Sequence, residues 1–158
     1  MDTIWFAELN SPLGKLTLES DGQALTRIRL PEEEWEPDAE VDRVRKPELF
    51  AEAAVQLGAF FRGERQDFDL PLNPGGTPFQ QKVWNLLREI PRGQTITYGE
   101  LARRAGNPKA SRAVGAANGR NPLPIVIPCH RVIGTGGKLT GYAGGLEAKK
   151  KLLEIEAR

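Results

Sequence analysis

The stretch TYGELARRAGNPKASRAVGAANG, residues 97–119, predicts two short helices joined by a glycine turn. Thr97 and Glu100 have the spacing of a capping box, which marks the start of the first helix. Asn107, which precedes a proline, is the predicted N-cap of a second helix that runs to about Asn118. This order of elements is typical of a helix-turn-helix, a motif that binds nucleic acid in some proteins and is only a scaffold in others.

The predicted second helix is built mainly from small residues and carries one long cation, Arg112, in its first turn. Ala110, Ser111 and Gly115 are among the small positions. Small side chains allow either tight packing against another helix or close approach to a nucleic-acid groove. The sequence around Arg112 leaves both interpretations open.

The rest of the chain predicts an α+β fold in two parts. Turn signals separate three β-rich stretches into a small antiparallel sheet, and a helix over residues 47–61 follows an acidic, aperiodic segment (31–46) that we expect to be a loop. A second capping box at Thr77 and Gln80 opens a helix after a segment rich in Pro and Gly.

We therefore expect an N-terminal supporting domain, a linker, and a mostly helical C-terminal domain with a winged helix-turn-helix. Their predicted bounds are residues 1–70, 71–76 and 77–158.

Charge divides along the same line. Residues 1–74 hold 8 Lys and Arg against 16 Asp and Glu, whereas residues 75–158 hold 14 against 5, so a net charge of +1 hides a basic half joined to an acidic one. Such asymmetry is typical of a chain whose basic part meets a polyanion, although Lys and Arg also simply solvate helix faces. The ordinary composition, 39% hydrophobic and 27% charged, excludes disordered and fibrous classes.

The motif NPLPIVIPCHR (121–131) contains the only Cys and the only His of the chain, Cys129 and His130. The apolar run 125–127 predicts a strand that leads to them. A lone Cys is usually an inert small hydrophobe, but a neighbouring neutral His, acting directly or through one water, could remove the thiol proton and produce the nucleophilic thiolate. A single Cys and a single His also exclude a Cys/His zinc cluster, and we expect no metal.

A His that acts as a base needs a third group to fix its tautomer. In the predicted last helix, about 146–157, Glu156 follows Leu152 and Leu153 by four and three residues, so it shares the edge of the apolar face. A carboxylate there needs a partner, and His130 is the obvious candidate. The alternative is an exposed Glu on a fraying C-terminal turn. The glycine-rich loop 134–145 matches no phosphate-binding motif; it could line a pocket or be a plain turn, and we expect no cofactor.

Several segments together resemble one family. PCHRV (128–132), ITYGELA (96–102), GNPKASRAVG (106–115) and LTGYAGGLEAKKKLL (139–153) are similar to the O6-alkylguanine-DNA alkyltransferases, also called methylated-DNA–protein-cysteine methyltransferases. The match extends over most of residues 77–158, in the family's order. Residues 1–70 resemble the family's variable N-terminal domain only in length and coarse pattern.

The resemblance implies a role for each matching position. Cys129 would accept the alkyl group, His130 would deprotonate it through a water, and Glu156 would orient His130. Asn121 would tie the turn before the cysteine to the helix-turn-helix.

The resemblance also implies how DNA would be held. Arg112 would enter the duplex and fill the place of the extruded nucleotide, while Tyr98 would help to rotate the nucleotide's phosphate and contact the base. Ala110, Ser111 and Gly115 would lie on a recognition helix in the minor groove. The residues implied to line the substrate pocket are Val132, Tyr142, Ala143, Pro124 and Lys149.

The function implied is DNA repair by direct reversal. The chain would transfer an alkyl group from O6-alkylguanine in double-stranded DNA to Cys129, once per molecule, with O4-alkylthymine as a second candidate substrate. We expect a cytoplasmic monomer with no membrane partner. The rival interpretations are a cysteine hydrolase or acyltransferase, and a catalytically silent protein that binds lesions or regulates DNA.

Overall fold

The computed structural model describes residues 3–142 and 144–158. The N-terminal half contains a four-stranded sheet in the spatial order β3-β2-β1-β4. Its strands are β1 (Thr3–Ser11), β2 (Gly14–Ser20), β3 (Leu25–Arg29) and β4 (Asp42–Arg45). The first three pair antiparallel through short turns, which confirms the predicted antiparallel sheet.

The fourth strand corrects the prediction of a loop over residues 31–46. β4 runs parallel to β1, with Ile4 opposite Arg43 and Trp5 opposite Val44. Most of its side chains are exposed, so it contributes backbone pairing at the sheet edge and little apolar packing. A strand held in this way carries no hydrophobic alternation, which is why the sequence pattern did not reveal it.

The helix predicted over residues 47–61 is confirmed. A 3₁₀ turn (Pro47–Phe50) leads directly into helix α1 (Ala51–Phe61), with proline in the first turn. Phe50, Leu57 and Phe60 are buried and join the apolar core with side chains of the sheet.

The C-terminal half is mostly helical, as predicted. Its elements are α2 (Pro78–Leu87), β5 (Ile96–Thr97), α3 (Tyr98–Arg104), α4 (Ser111–Gly119), β6 (Val132–Ile133) and α5 (Leu146–Glu156). The capping box of α2 is complete: the Gln80 backbone donates to Thr77 Oγ1 at 3.1 Å, and the Thr77 backbone donates to Gln80 Oε1 at 3.0 Å. The short strands β5 and β6 pair in parallel.

Helices α3 and α4 form the predicted helix-turn-helix, with two local differences. Thr97 caps α3, but the Glu100 side chain binds Arg103 and Arg104 instead of returning to the cap. The prediction that Asn107 caps α4 was wrong, because its side chain accepts from the Lys109 backbone at 3.0 Å and closes a separate turn. The helix therefore begins later than predicted, at Ser111.

The strand predicted over residues 125–127 is also wrong. The Ile127 backbone donates to the Leu123 carbonyl at 2.8 Å, so this segment is a buried turn. Ile125 has a φ of +74°, the only positive φ of a non-glycine residue within residues 3–142 and 144–158. A short run of β-branched residues has the pattern of a strand whether or not it forms one. Here the prolines on either side, Pro124 and Pro128, favour a turn.

The two halves meet along β3. The Ile28 backbone donates to the Pro122 carbonyl at 2.9 Å, which joins β3 to the turn before the cysteine. Leu25 donates to Pro71 and accepts from Asn73, so the predicted linker runs beside the same strand. The N-terminal sheet thus supports the segment that leads to Cys129.

Candidate active site

Cys129 and His130 lie on one short turn. Residues Cys129–Arg131 form a single 3₁₀ turn between the buried turn at 125–127 and β6, and all three side chains are buried. A turn of this kind brings neighbouring side chains closer together than a strand would. On a strand the Cys129 and His130 side chains would point in opposite directions, whereas this turn allows contact between them, directly or through a water.

Two asparagines hold the turn. Asn121 donates from Nδ2 to the Ile127 carbonyl at 2.7 Å and accepts the Leu123 backbone N–H at 3.0 Å. Asn118, near the end of α4, donates to the Cys129 carbonyl at 3.4 Å. The second bond joins the helix-turn-helix directly to the cysteine, and sequence reasoning did not find it.

Glu156 is buried against the same turn. Its Oε2 lies 2.8 Å from His130 Nε2, and its two oxygens accept bonds from the Arg131 guanidinium at 2.5–3.0 Å. Arg131 also donates to the Ile90 carbonyl at 2.6 Å. We call Cys129, His130, Arg131 and Glu156 the reaction centre. The alternative of an exposed, fraying Glu156 is excluded, since only 1% of its side chain is exposed.

The pKa shifts of Glu156 and His130 indicate which ring nitrogen of His130 carries the proton. Burial acts to raise the pKa of Glu156, but hydrogen bonds from His130 and Arg131 outweigh it and hold that pKa at about 2. Burial lowers the pKa of His130 despite the carboxylate beside it. An ionised carboxylate only accepts, so the neutral ring carries its proton on Nε2 and leaves the Nδ1 lone pair free.

The Nδ1 lone pair of His130 is available to accept a proton. Nδ1 is buried, and it has no hydrogen-bond partner among the residues that the structure describes. Burial also raises the pKa of the Cys129 thiol, and the nearby Asn121, Tyr142 and Lys149 oppose this only in part. The site therefore combines a protonated thiol with a neutral base on adjacent residues.

A lysine and a tyrosine lie beside the thiol, and a second tyrosine lies near the lysine. Lys149 of α5 is buried, donates to the Thr140 carbonyl at 2.9 Å, and lies 5.9 Å and 6.0 Å from the ring centres of Tyr98 and Tyr142. Burial lowers the pKa of Lys149, while a nearby Cys129 thiolate would favour its charged form. Burial raises the pKa of Tyr142 well above 10, and its hydroxyl lies beside the thiol without meeting hydrogen-bond geometry.

A small cavity of about 10 Å³ opens beside Cys129. Its walls include the predicted pocket residues Pro124 and Tyr142. Val132 is buried and pairs with Ile96 in the small sheet. Ala143 lies outside the described residues. Sequence reasoning missed two residues of this wall that come from the N-terminal half, Leu30 and Glu33. No local pattern marked them, because their position depends on how the two halves pack.

The predicted DNA-binding residues lie on α4 or directly before it, except Tyr98, which begins α3. Arg112 is exposed in the first turn of α4, and Ala110 and Ser111 beside it are half-buried. Gly115 lies over Tyr98: a Cβ at Gly115 would be 3.7 Å from the ring. The small residues of α4 thus serve packing against α3 on one side and leave Arg112 free on the other.

Within the described ranges, no group of three His, Cys, Asp or Glu side chains could hold a metal ion.

Comparisons with known proteins match both halves of the chain. Residues 78–158 match the family model "6-O-methylguanine DNA methyltransferase, DNA binding domain", and residues 4–74 match "6-O-methylguanine DNA methyltransferase, ribonuclease-like domain". The methylated-DNA–protein-cysteine methyltransferase of Methanosarcina acetivorans is 50% identical over 97% of this chain and 98% of its own. That of Mycobacterium tuberculosis is 49% identical over 97% and 92%.

Solved structures agree. The crystal structure of Mycobacterium tuberculosis O6-methylguanine methyltransferase has a TM-score of 0.90 and 48% identity, over 98% of this chain and 93% of that one. A structure of the Mycobacterium tuberculosis protein in complex with DNA has a TM-score of 0.88 and 46% identity, over 98% and 92%. The chain belongs to the 6-O-methylguanine DNA methyltransferase family.

Proposed function

We propose that this chain repairs double-stranded DNA by moving the alkyl group of O6-alkylguanine onto Cys129, once per molecule. The observation that carries the proposal is the arrangement of the reaction centre. Cys129 sits on the same turn as a neutral His130, whose Nε2 proton is directed to Glu156 and whose Nδ1 has no partner within the described parts of the chain. The activity named for the curated relatives, transfer from methylated DNA to a protein cysteine, needs such an activated thiol.

The first step is the loss of the thiol proton. His130 Nδ1 takes the proton of Cys129, through one bridging water, and the resulting imidazolium is stabilised by the ionised Glu156 at 2.8 Å. Arg131 holds that carboxylate in place with bonds of 2.5–3.0 Å. Because burial raises the pKa of the thiol, the nucleophile forms at the moment of transfer and is not exposed beforehand.

The second step is displacement at the alkyl carbon. The sulfur lone pair forms an S–C bond as the C–O6 bond breaks, and the electron pair of that bond stays on guanine. A proton donor beside the base then neutralises the leaving guanine; Tyr98, whose ring lies near Lys149, is our candidate. The thioether at Cys129 is stable, and the sequence holds no second Cys that could remove the group.

DNA is held by the basic half. The target base is stacked in the duplex, so it must be extruded at a cost of a few kcal/mol, which is lower for a base that pairs poorly. Arg112 is exposed on α4, where it can enter the duplex and restack the gap. Lysines and arginines of residues 75–158 would contact phosphates, so binding should depend strongly on salt and weakly on sequence.

We propose that the protein acts as a monomer, since one chain supplies every group that the mechanism uses. In the described part of the chain, no helix has the length and apolarity to span a bilayer.

A stoichiometric titration tests this function. A duplex that contains one O6-methylguanine is mixed with increasing protein, and the restored guanine is counted against the protein added. We expect one guanine restored per chain and no further repair after that. Continued turnover would favour a hydrolase or transferase that regenerates its thiol, and binding without repair would favour a protein that only recognises lesions.

A further inference from the structure

We propose that Leu30, which directly follows β3 in the N-terminal half, is a specificity-determining residue that limits the size of the alkyl group transferred to Cys129. The inference rests on the proposed function. It assigns to the acidic half a part in substrate selection, beyond support of the fold.

The cavity beside Cys129 is narrow. Its volume of about 10 Å³ leaves room for about one water molecule, so a substituent much larger than methyl meets its walls. The walls come from three places: the segment before Cys129 with the end of α4, the glycine-rich loop that carries Tyr142, and the N-terminal residues Leu30 and Glu33.

The wall that comes before Cys129 is fixed by the geometry of the thiol. Asn121, Pro124 and Cys129 belong to the hydrogen-bonded turn that positions the thiol, and displacing them would displace the nucleophile. The size limit must therefore be set by the other walls, which include Leu30.

Leu30 packs against Gly144 with no free space between them. A Cβ built at Gly144 would lie 2.1 Å from Leu30 Cδ1 and 2.9 Å from its Cβ, so the loop backbone already rests on this side chain. The φ of Gly144 lies outside the left-handed region, so glycine is required here for space and not for backbone conformation. A substituent that extends from Cys129 toward Gly144 therefore meets Leu30, which lines the same cavity.

Leu30 itself is held firmly. Its side chain is buried in the apolar core, its backbone N–H donates to Glu33 Oε2 at 2.9 Å, and its carbonyl accepts from the Glu33 backbone at 3.1 Å. The turn between Leu30 and Glu33 is thus closed on both sides. A small substituent fits without moving Leu30, and a larger one needs a displacement of Leu30 that this turn resists.

The test compares two substrates in the same duplex, O6-methylguanine and O6-benzylguanine, by single-turnover rates of transfer. Leu30→Ala removes the atoms closest to Gly144, and we expect the benzyl-to-methyl rate ratio to rise about tenfold over that of the unaltered protein. Leu30→Val, which disturbs the core less, should shift the ratio in the same direction by a smaller factor. Leu16→Ala is the matched control: Leu16 lies in β2 and is buried in the same apolar core as Leu30 but does not line the cavity, so the rate ratio of this variant should stay unchanged.

The outcomes separate this inference from the proposed function. Methyl transfer by the unaltered protein, with an equal rate ratio in the Leu30 and Leu16 variants, would overturn the role of Leu30 alone. A ratio that rises as much in Leu16→Ala would also overturn it, because general loosening of the N-terminal half would then be the cause. No transfer from either substrate to the unaltered protein would instead overturn the proposed function.

Discussion

The reaction centre and the helix-turn-helix lie side by side in the basic half, but they depend on different contacts. The helix-turn-helix is organised locally: Thr97 caps α3, and Glu100 pairs with arginines three and four residues later. The reaction centre joins Glu156 to His130 and Arg131, which lie 26 and 25 positions earlier in the sequence. Its side chains are almost fully buried. The first region presents an exposed cation to a partner, whereas the second protects a thiol from solvent. Binding and chemistry should therefore be separable by mutation.

The largest expected separation is at the nucleophile. Cys129→Ala removes the acceptor sulfur, and we expect no methyl transfer, while affinity for a lesion-containing duplex stays within a factor of about two because the helix-turn-helix is untouched. Intact mass and a fluorescence binding assay on the same preparation measure the two quantities. Residual transfer in this variant would show that a residue other than Cys129 accepts the methyl group.

The next effect is on the stability of the reaction centre. Glu156→Gln leaves the buried Arg131 without its carboxylate and His130 without its charged acceptor, so the free energy of unfolding should fall by about 3–5 kcal/mol and transfer should slow. Urea unfolding and single-turnover rates measure the change. Glu154→Gln, on the exposed side of the same helix, is the control and should stay within about 0.5 kcal/mol. Equal losses in both variants would show that the buried network contributes nothing specific.

Arg112→Ala should give the opposite result to Cys129→Ala, with weaker DNA binding and intact chemistry at the thiol. It removes the exposed side chain of α4 and leaves the reaction centre intact, so we expect affinity for the lesion duplex to fall about tenfold. Transfer from free O6-benzylguanine, which needs no duplex, should continue at the unaltered rate. Arg62→Ala, exposed in the acidic half, is the control for loss of one positive charge. If repair of duplex DNA were unchanged in Arg112→Ala, this side chain would have no part in extrusion.

The smallest effect concerns acid stability. His130 has a lowered pKa in the folded state, so the unfolded state binds more protons below about pH 6.5, and stability should fall as the pH drops through that range. Glu156, whose pKa falls from 4.5 to about 2, adds a second loss as the pH drops below about 4.5. Urea midpoints measured from pH 8 down to about pH 2 test the sum. A midpoint that rises on acidification would contradict the assigned charge states.

The same contrast explains what the sequence could predict. The capping residues Thr77 and Thr97 and the helix of residues 47–61 were found because caps and apolar spacing are local signals. The cap at Asn107 was misplaced because an Asx turn uses the same residue type. Glu156 was found from its place beside apolar residues.

The remaining contacts were not predictable in this way. Arg131 and Asn118 join the site through bonds to residues distant in sequence, such as Glu156 and the Cys129 carbonyl. β4 was missed because its pairing is almost entirely backbone. Leu30 reaches the cavity only through the packing of the two halves.

The central claim is that Cys129 accepts the alkyl group and is activated by His130. Peptide mapping after reaction with an O6-methylguanine duplex tests it most directly. We predict one added methyl group per chain, located on the peptide that contains Cys129, at its sulfur. A methyl group on any other residue, or a protein that restores guanine while its own mass stays unchanged, would contradict this account.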